Sequence, residues 1–196
     1  MHLVFDIFQG IGVAAAVGIR PFLPALAVGA LAAGDVQIDF KGSDYDFLQQ
    51  LPFLAAMLVG AIALALAERR LTAARLERGP VTVAIALAAV VVGALLFAGS
   101  LCRGHYLTWP GYPGGVACAL VGIAATRPLL TRVRARLEDS AAGALPLFAE
   151  AAAVLLAVLS VLAPPVGPIG LALLLWLVIA GRGRGEQKFA GLRILR

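Results

Sequence analysis

Gly18-Ile19-Arg20-Pro21-Phe22-Leu23-Pro24 places an arginine and two prolines inside the apolar stretch Leu3 to Ala33. A bilayer-spanning helix tolerates such residues least near its middle. Proline withholds a backbone donor and disfavours helix at the residue before it. The segment therefore predicts a helix broken between Gly18 and Pro24, with Ile19 and Arg20 unwound and a second half beginning at Pro21. Irregular backbone and a cation at membrane depth persist only where protein or a watery cavity surrounds them, so Gly18, Arg20 and Pro21 are the leading candidates for a binding site. An unpaired arginine at the bilayer centre costs at least ~2.5–3.5 kcal/mol on the insertion scale, which calls for a partner.

Outward from this break, the chain reads as an integral membrane protein. Of its 196 residues 61% are hydrophobic, and the mean hydropathy is +0.95, far above the roughly half-apolar make-up of a soluble domain. Apolar runs at Leu3 to Ala33, Phe47 to Ala67, Val81 to Leu101, Gly114 to Ala125, Ala142 to Ala163 and Val166 to Ala180 predict an all-α protein of six transmembrane helices. The first run has no basic leader and no clean cleavage pattern, so it is expected to remain as a helix rather than act as a signal. The sixth follows Pro164-Pro165-Val166-Gly167-Pro168 and is expected to start partly extended.

The net charge of +5 does not indicate nucleic acid, because the basic residues sort by loop. Thirteen lie after the second run (Arg69, Arg70, Arg75, Arg78), after the fourth (Arg127, Arg132, Arg134, Arg136) or in the tail (Arg182, Arg184, Lys188, Arg193, Arg196); only Lys41 and Arg103 lie opposite. This positive-inside bias predicts a multi-pass protein of the bacterial cytoplasmic membrane with both termini in the cytoplasm. Folding the long first run back as a hairpin would move only the N-terminus to the other side. Residues 1–181 form one transmembrane domain on this reading, and 182–196 a basic tail suited to the anionic inner leaflet or to docking on the bundle.

The two halves, about 1–101 and 111–181, echo one another. Gly12 to Ile19 ending in Arg20-Pro21 resembles Gly115 to Ile123 followed by Arg127-Pro128, and Leu51-Pro52-Phe53-Leu54 resembles Leu145-Pro146-Leu147-Phe148. Three spans per half predict an inverted repeat, a recurrent transporter plan. The small residues of these segments also suit close helix packing.

The Gly18-Ile19-Arg20-Pro21 segment, Glu68 closing the second helix, Glu138-Asp139 before the fifth, and the ending Lys188-Phe189-Ala190-Gly191-Leu192-Arg193-Ile194-Leu195-Arg196 together resemble the bacterial membrane proteins catalogued as domain of unknown function 4126. The likeness spans essentially the whole chain and is most specific in the actinobacterial-type ending. Other members often follow the second-helix glutamate with Asp-Lys, where this chain has Arg69-Arg70. The resemblance implies a compact polytopic bacterial protein and no particular activity.

The candidate chemistry centres on charge inside the membrane. Arg20, with the free donors of a half-helix starting at Pro21, can hold an anion, and Arg127-Pro128 is a second such element. Alternatively Arg20 pairs with an intramembrane carboxylate, Asp6 or Glu150, either of which could also exchange a proton. Arg127 also suits a positive-inside anchor, and Glu68 beside Arg69 and Arg70 an interfacial charge. Ser43-Asp44-Tyr45-Asp46 reads as a solvated acidic loop rather than a cation site, and Cys102 with His105 falls short of the four ligands of a structural zinc. Nucleotide, nucleophile-elbow and zinc-protease motifs are absent. The sequence thus predicts no enzyme, no cofactor and no nucleic-acid partner. It predicts instead a small transporter or channel for an anionic or proton-coupled solute, or a noncatalytic scaffold, and a bundle thin enough to call for a homo-oligomer.

Overall fold

The computed structural model describes residues 2–70, 79–104, 106–134, 136 and 143–190, and among these the chain is all-helical. Seven helices follow in order: α1 (His2–Ile19), α2 (Phe22–Ala33), α3 (Leu51–Arg70), α4 (Pro80–Arg103), α5 (Gly111–Arg134), α6 (Leu145–Leu162) and α7 (Val166–Ala190). A short 3-10 turn, Asp46–Gln49, precedes α3. Four of them, α3 to α6, are long and apolar enough to cross a membrane.

The break falls where Pro21 demands it, but one residue later than the sequence suggests. Arg20 still donates its N–H to the Ala16 carbonyl at 3.1 Å, completing α1, and α2 begins at Phe22. Pro24 is harmless in the first turn of α2, where its missing N–H has no intrahelical acceptor to lose. The same rule explains α7, which starts directly at Val166 with Pro168 in its first turn rather than partly extended. By contrast, Pro128 lies inside α5, which runs on to Arg134, so Arg127-Pro128 is not a second break.

The first apolar run is a hairpin. Phe5 and Asp6 at the start of α1 share a cavity with Gln37 of the 34–45 loop, Arg103 at the end of α4 and Pro164 before α7. Its other end, Gly18 to Pro21, lies with Glu68 at the end of α3, Thr82 at the start of α4 and Arg134 at the end of α5. The reversal puts Arg20 at one end of the bundle instead of its middle. Helix α7 returns to the Arg20 end, where Gly181 lies against Arg132, while α1 starts at the opposite end. The start of α1 and the last turns of α7 around Gly181 thus lie at opposite ends of the bundle. Residues 182–190 continue α7 rather than starting a separate tail, and 191–196 lie outside the described residues.

The core is built around α1. Ala14, Ala15, Ala16 and Val17 are fully buried, and neighbours approach its backbone closely. A Cβ on Gly12 would overlap Ser160 and Gly167, and one on Gly18 would overlap the Ala119 backbone, so both crossings require glycine. Gly10 lies beside Ser100, and Gly93 beside the Ala14 carbonyl, which makes α1 and α4 antiparallel; Gly111 beside Ala98 and Gly115 beside Ala94 do the same for α4 and α5. Consequently α1 and α5 run in the same direction. An inverted repeat laying Gly12 to Pro21 on Gly115 to Pro128 needs them opposed, so that pairing is incorrect. Glu138 and Asp139, before α6, lie outside the described residues.

The loop after α2 folds back into the bundle, although its four aspartates suggest a solvated segment. Ile38, Phe40, Tyr45 and Leu48 are buried. Asp46 accepts from Gln49 Nε2 at 2.6 Å and Gln50 Nε2 at 2.7 Å, while Gln49 Oε1 accepts the Phe40 N–H at 3.1 Å. Both Asp46 oxygens thus serve the turn into α3. The phenols of Tyr45 and Tyr112 share a 2.6 Å hydrogen bond that ties the loop to α5.

Two outcomes follow from this arrangement. In a background with Cys102 and Cys118 replaced by alanine, a membrane-impermeant thiol reagent should reach cysteines at positions 3 and 182 from opposite sides of the bilayer. Burial, then the Tyr112 hydrogen bond, pushes the Tyr45 phenol up to about 12. Because the folded state holds that proton more tightly than the unfolded chain, whose tyrosines ionise near pH ~10, the loop's stabilisation is complete below ~10 and declines as pH rises toward about 12. Thermal melts of Tyr45→Phe should show a shallower decline than wild type across this window.

Candidate functional site

At the α1–α2 turn, the Arg20 guanidinium is drawn into protein rather than lipid; the residue is only 8% exposed. Its Nη1 donates to Glu68 Oε1 from the last turns of α3, and its Nε lies 3.6 Å from Glu150 Oε2 on α6. Glu150 also accepts the backbone N–H of Leu23 in the first turn of α2. No side chain of the capping residue Pro21 could have served that donor. A carboxylate therefore meets the positive end of the half-helix and the arginine beside it together, the charge that a helix N-terminus favours.

Of the two carboxylates expected near Arg20, Glu150 is present and Asp6 is not. Asp6 precedes Arg20 by fourteen residues on one straight helix, roughly 21 Å at the helical rise, and lies in the cavity at the far end. Glu68 takes its place. Read in isolation, Glu68 beside Arg69 and Arg70 looks like an interfacial charge; its being the only acid of the second span was the available signal.

Beside this network lies a cavity of about 490 Å³, bounded by the α1–α2 turn, the end of α3, the start of α4 and the second half of α5. Gly18, Arg20, Pro21 and Arg127 all line it, so the turn and the α5 arginine do converge, joined by Glu68 and Arg134. Among the described residues, the charged groups lining it are Arg20, Arg127, Arg134 and Glu68, and a basic lining in a cleft with low-dielectric walls attracts the opposite sign. Arg127 Nη2 donates to the Thr82 carbonyl at 3.1 Å, across from α5 to α4. Thr126 and Thr131 donate their hydroxyls to the carbonyls of Gly122 and Arg127, at 2.7 and 3.1 Å, leaving their oxygens only as acceptors. Arg127 uses an Nη2 N–H in its bond to Thr82, and a guanidinium carries five N–H donors in a planar fork that suits an oxyanion.

No family model matches the chain, and no curated protein or solved structure is significantly similar to it.

The ion cluster predicts a strong non-additivity. Breaking a buried pair from one side leaves the other charge uncompensated and costs ~3–5 kcal/mol, whereas replacing both partners by apolar residues of similar volume is far milder. Arg20→Met should therefore lower the melting temperature sharply, and Arg20→Met combined with Glu68→Met should recover most of the loss. Independent, additive effects in this double-mutant cycle would contradict the pairing.

Proposed function

We propose that this protein is a small multi-pass transporter or channel of the bacterial cytoplasmic membrane, for an anionic or proton-coupled small solute, with the Arg20 cavity as its binding site. The observation that carries this reading is the cavity's charge: Arg20, Arg127 and Arg134 against Glu68, around a break in the first apolar segment. Broken helices lining a cavity recur in transporters, there near the midplane and here at one end of the bundle. An incoming anion competes with Glu68 and Glu150 for Arg20, and a proton delivered to either carboxylate weakens that competition. Anion entry and proton uptake at one cluster are coupled in this way.

The loops rich in arginine lie at the Arg20 end, which on the positive-inside rule is the cytoplasmic one. That orientation puts the C-terminus inside and the start of α1 outside. Helices α1 and α3 to α7 cross once each, and α2, ~18 Å long, makes the return between α1 and α3 together with the loop after it, an odd number of passes that leaves the start of α1 and the last turns of α7 on opposite sides. Helices α2 to α4 and α5 to α7 run in opposite directions, which keeps a three-helix inverted plan with α1 as an added central helix. The resemblance to domain of unknown function 4126 supports the polytopic bacterial setting. Helix α3 buries little beyond Leu64 and exposes Leu58, Val59 and Ile62, a face suited to lipid or a second copy in a homo-oligomer.

A noncatalytic scaffold is the second reading, favoured by the neutralisation of Arg20 within the chain. Flux decides between them. Proteoliposomes loaded with chloride, acetate or phosphate should show protein-dependent anion flux that falls at least tenfold in Arg127→Gln, an exposed residue whose loss leaves the melting temperature near wild type. Flux no greater than in protein-free vesicles for all three ions would favour the scaffold.

A further inference from the structure

The Arg20 cavity lies in a cleft between α3 on one side and the α4–α5 pair on the other. Among the described residues α3 packs on α2 and on the Asp46–Gln49 turn, and no packed seam joins it to α4. Leu66 of α3 and Val83 and Leu87 of α4, close in sequence to lining residues, are exposed. In a membrane these faces meet lipid, so the cleft is reached from its side by lipid as well as from its end by water.

Polarity in the cleft follows depth. Arg127 bonds Thr82 in the first turn of α4, Glu68 lies in the last turn of α3, and Arg134 ends α5, which puts the charges at the end of the bundle. One turn inward from Glu68 lies Leu64, and one turn inward from Arg127 lies Ile123. Ala89 is seven residues beyond Thr82, ~10 Å deeper along α4. Charge therefore lines the mouth and aliphatic side chains the floor. A hydrophilic ion finds partners at the mouth alone, whereas a membrane lipid has this same order, headgroup at the boundary and chain toward the middle. The volume of about 490 Å³ is also in the range that takes a drug-sized ligand, well beyond one inorganic ion.

The headgroup contact falls to Arg127. Glu68, on the same wall, is engaged by Arg20 Nη1, so those two charges offset each other within the protein. Arg127 is exposed and gives one N–H to the Thr82 carbonyl. A guanidinium carries five, in a fork that matches two phosphate oxygens. Basic pockets between membrane helices take anionic lipid headgroups in the same manner.

We infer that this cleft binds an anionic phospholipid, with its phosphate on Arg127 and an acyl chain along Leu64, Ile85, Ala89 and Ile123. The inference rests on the reading of the Arg20 cavity as an anion site and narrows that anion to a membrane amphiphile.

Native mass spectrometry of the full chain in a neutral detergent, titrated with phosphatidylglycerol or with phosphatidylcholine of the same chains, tests this. One phosphatidylglycerol should be held at least tenfold more tightly than phosphatidylcholine, whose choline cation is set against the arginines. Arg127→Gln should remove that preference, the loss of a charge-assisted contact. Ala86→Trp, which fills the apolar floor from the half-buried wall of α4, should weaken phosphatidylglycerol binding as much with every arginine in place; Arg127→Gln alone decides should Ala86→Trp lower the melting temperature. Arg103→Gln, at the other end of the bundle, should leave binding unchanged, and glycerol 3-phosphate in tenfold excess should not displace the lipid. Equal retention of the two lipids, retention that survives Arg127→Gln or a well-folded Ala86→Trp, or an equal loss in Arg103→Gln, as for attraction to any surface cation, would overturn the lipid site. Displacement by glycerol 3-phosphate or inorganic phosphate would overturn it too, while leaving a small-anion site in place. Selective retention without chloride, acetate or phosphate flux would uphold the lipid site and sink only the transport reading.

Discussion

Backbone-to-backbone contact around α1 is the constraint on which this bundle depends. A helix surrounded by α4, α5, α6 and α7 buries its middle completely, and it does so with alanine, valine and glycine. In a lipid setting apolar side chains gain little by leaving hydrocarbon for protein, so association rests on close packing. Glycine at positions 12 and 18 permits the closest approach, to α6 and α7 in one case and to α5 in the other. Two cavities lie at the two ends of this helix, one beside Arg20 and one beside Asp6.

Charge determines the arrangement at the Arg20 end. With the chain reversing at Pro21, the guanidinium stands within a few turns of the arginine-rich loops, and two carboxylates from distant parts of the sequence meet it. The same Glu150 that approaches Arg20 caps the half-helix, so cation, helix terminus and counter-ion form one unit. The cavity beside it is lined by Arg127 and Arg134 as well as by Arg20.

Much of the fold was legible because hydropathy and proline rules are local. Every apolar run corresponds to helix, and the break lies within one residue of its expected position, since only Pro21 can cause it. The direction of the chain after the break was not legible, because a proline interrupts a helix without saying which way the next one points. That single unknown also turned the expected inverted pairing of α1 and α5 into a parallel one, whereas the length of α1 alone keeps Asp6 away from Arg20. Likewise Arg20 and Glu150 were recognisable as costly charges, whereas Arg69 and Arg70 beside Glu68 drew attention from its role as the half-buried partner of Arg20.

The order in which the partners of Arg20 appear has a consequence for biogenesis. Glu68 is 48 residues further along the chain, and Glu150 belongs to the sixth helix. When α1 and α2 first emerge from the ribosome, neither carboxylate has been synthesised, and the arginine has only water and headgroups to neutralise it. The first acid that can neutralise it within the chain arrives with α3. The final burial of the hairpin waits for α6, whose Ser160 meets Gly12 and whose Glu150 completes the charge cluster. The element at the centre of the finished bundle is thus the first made and among the last to be enclosed.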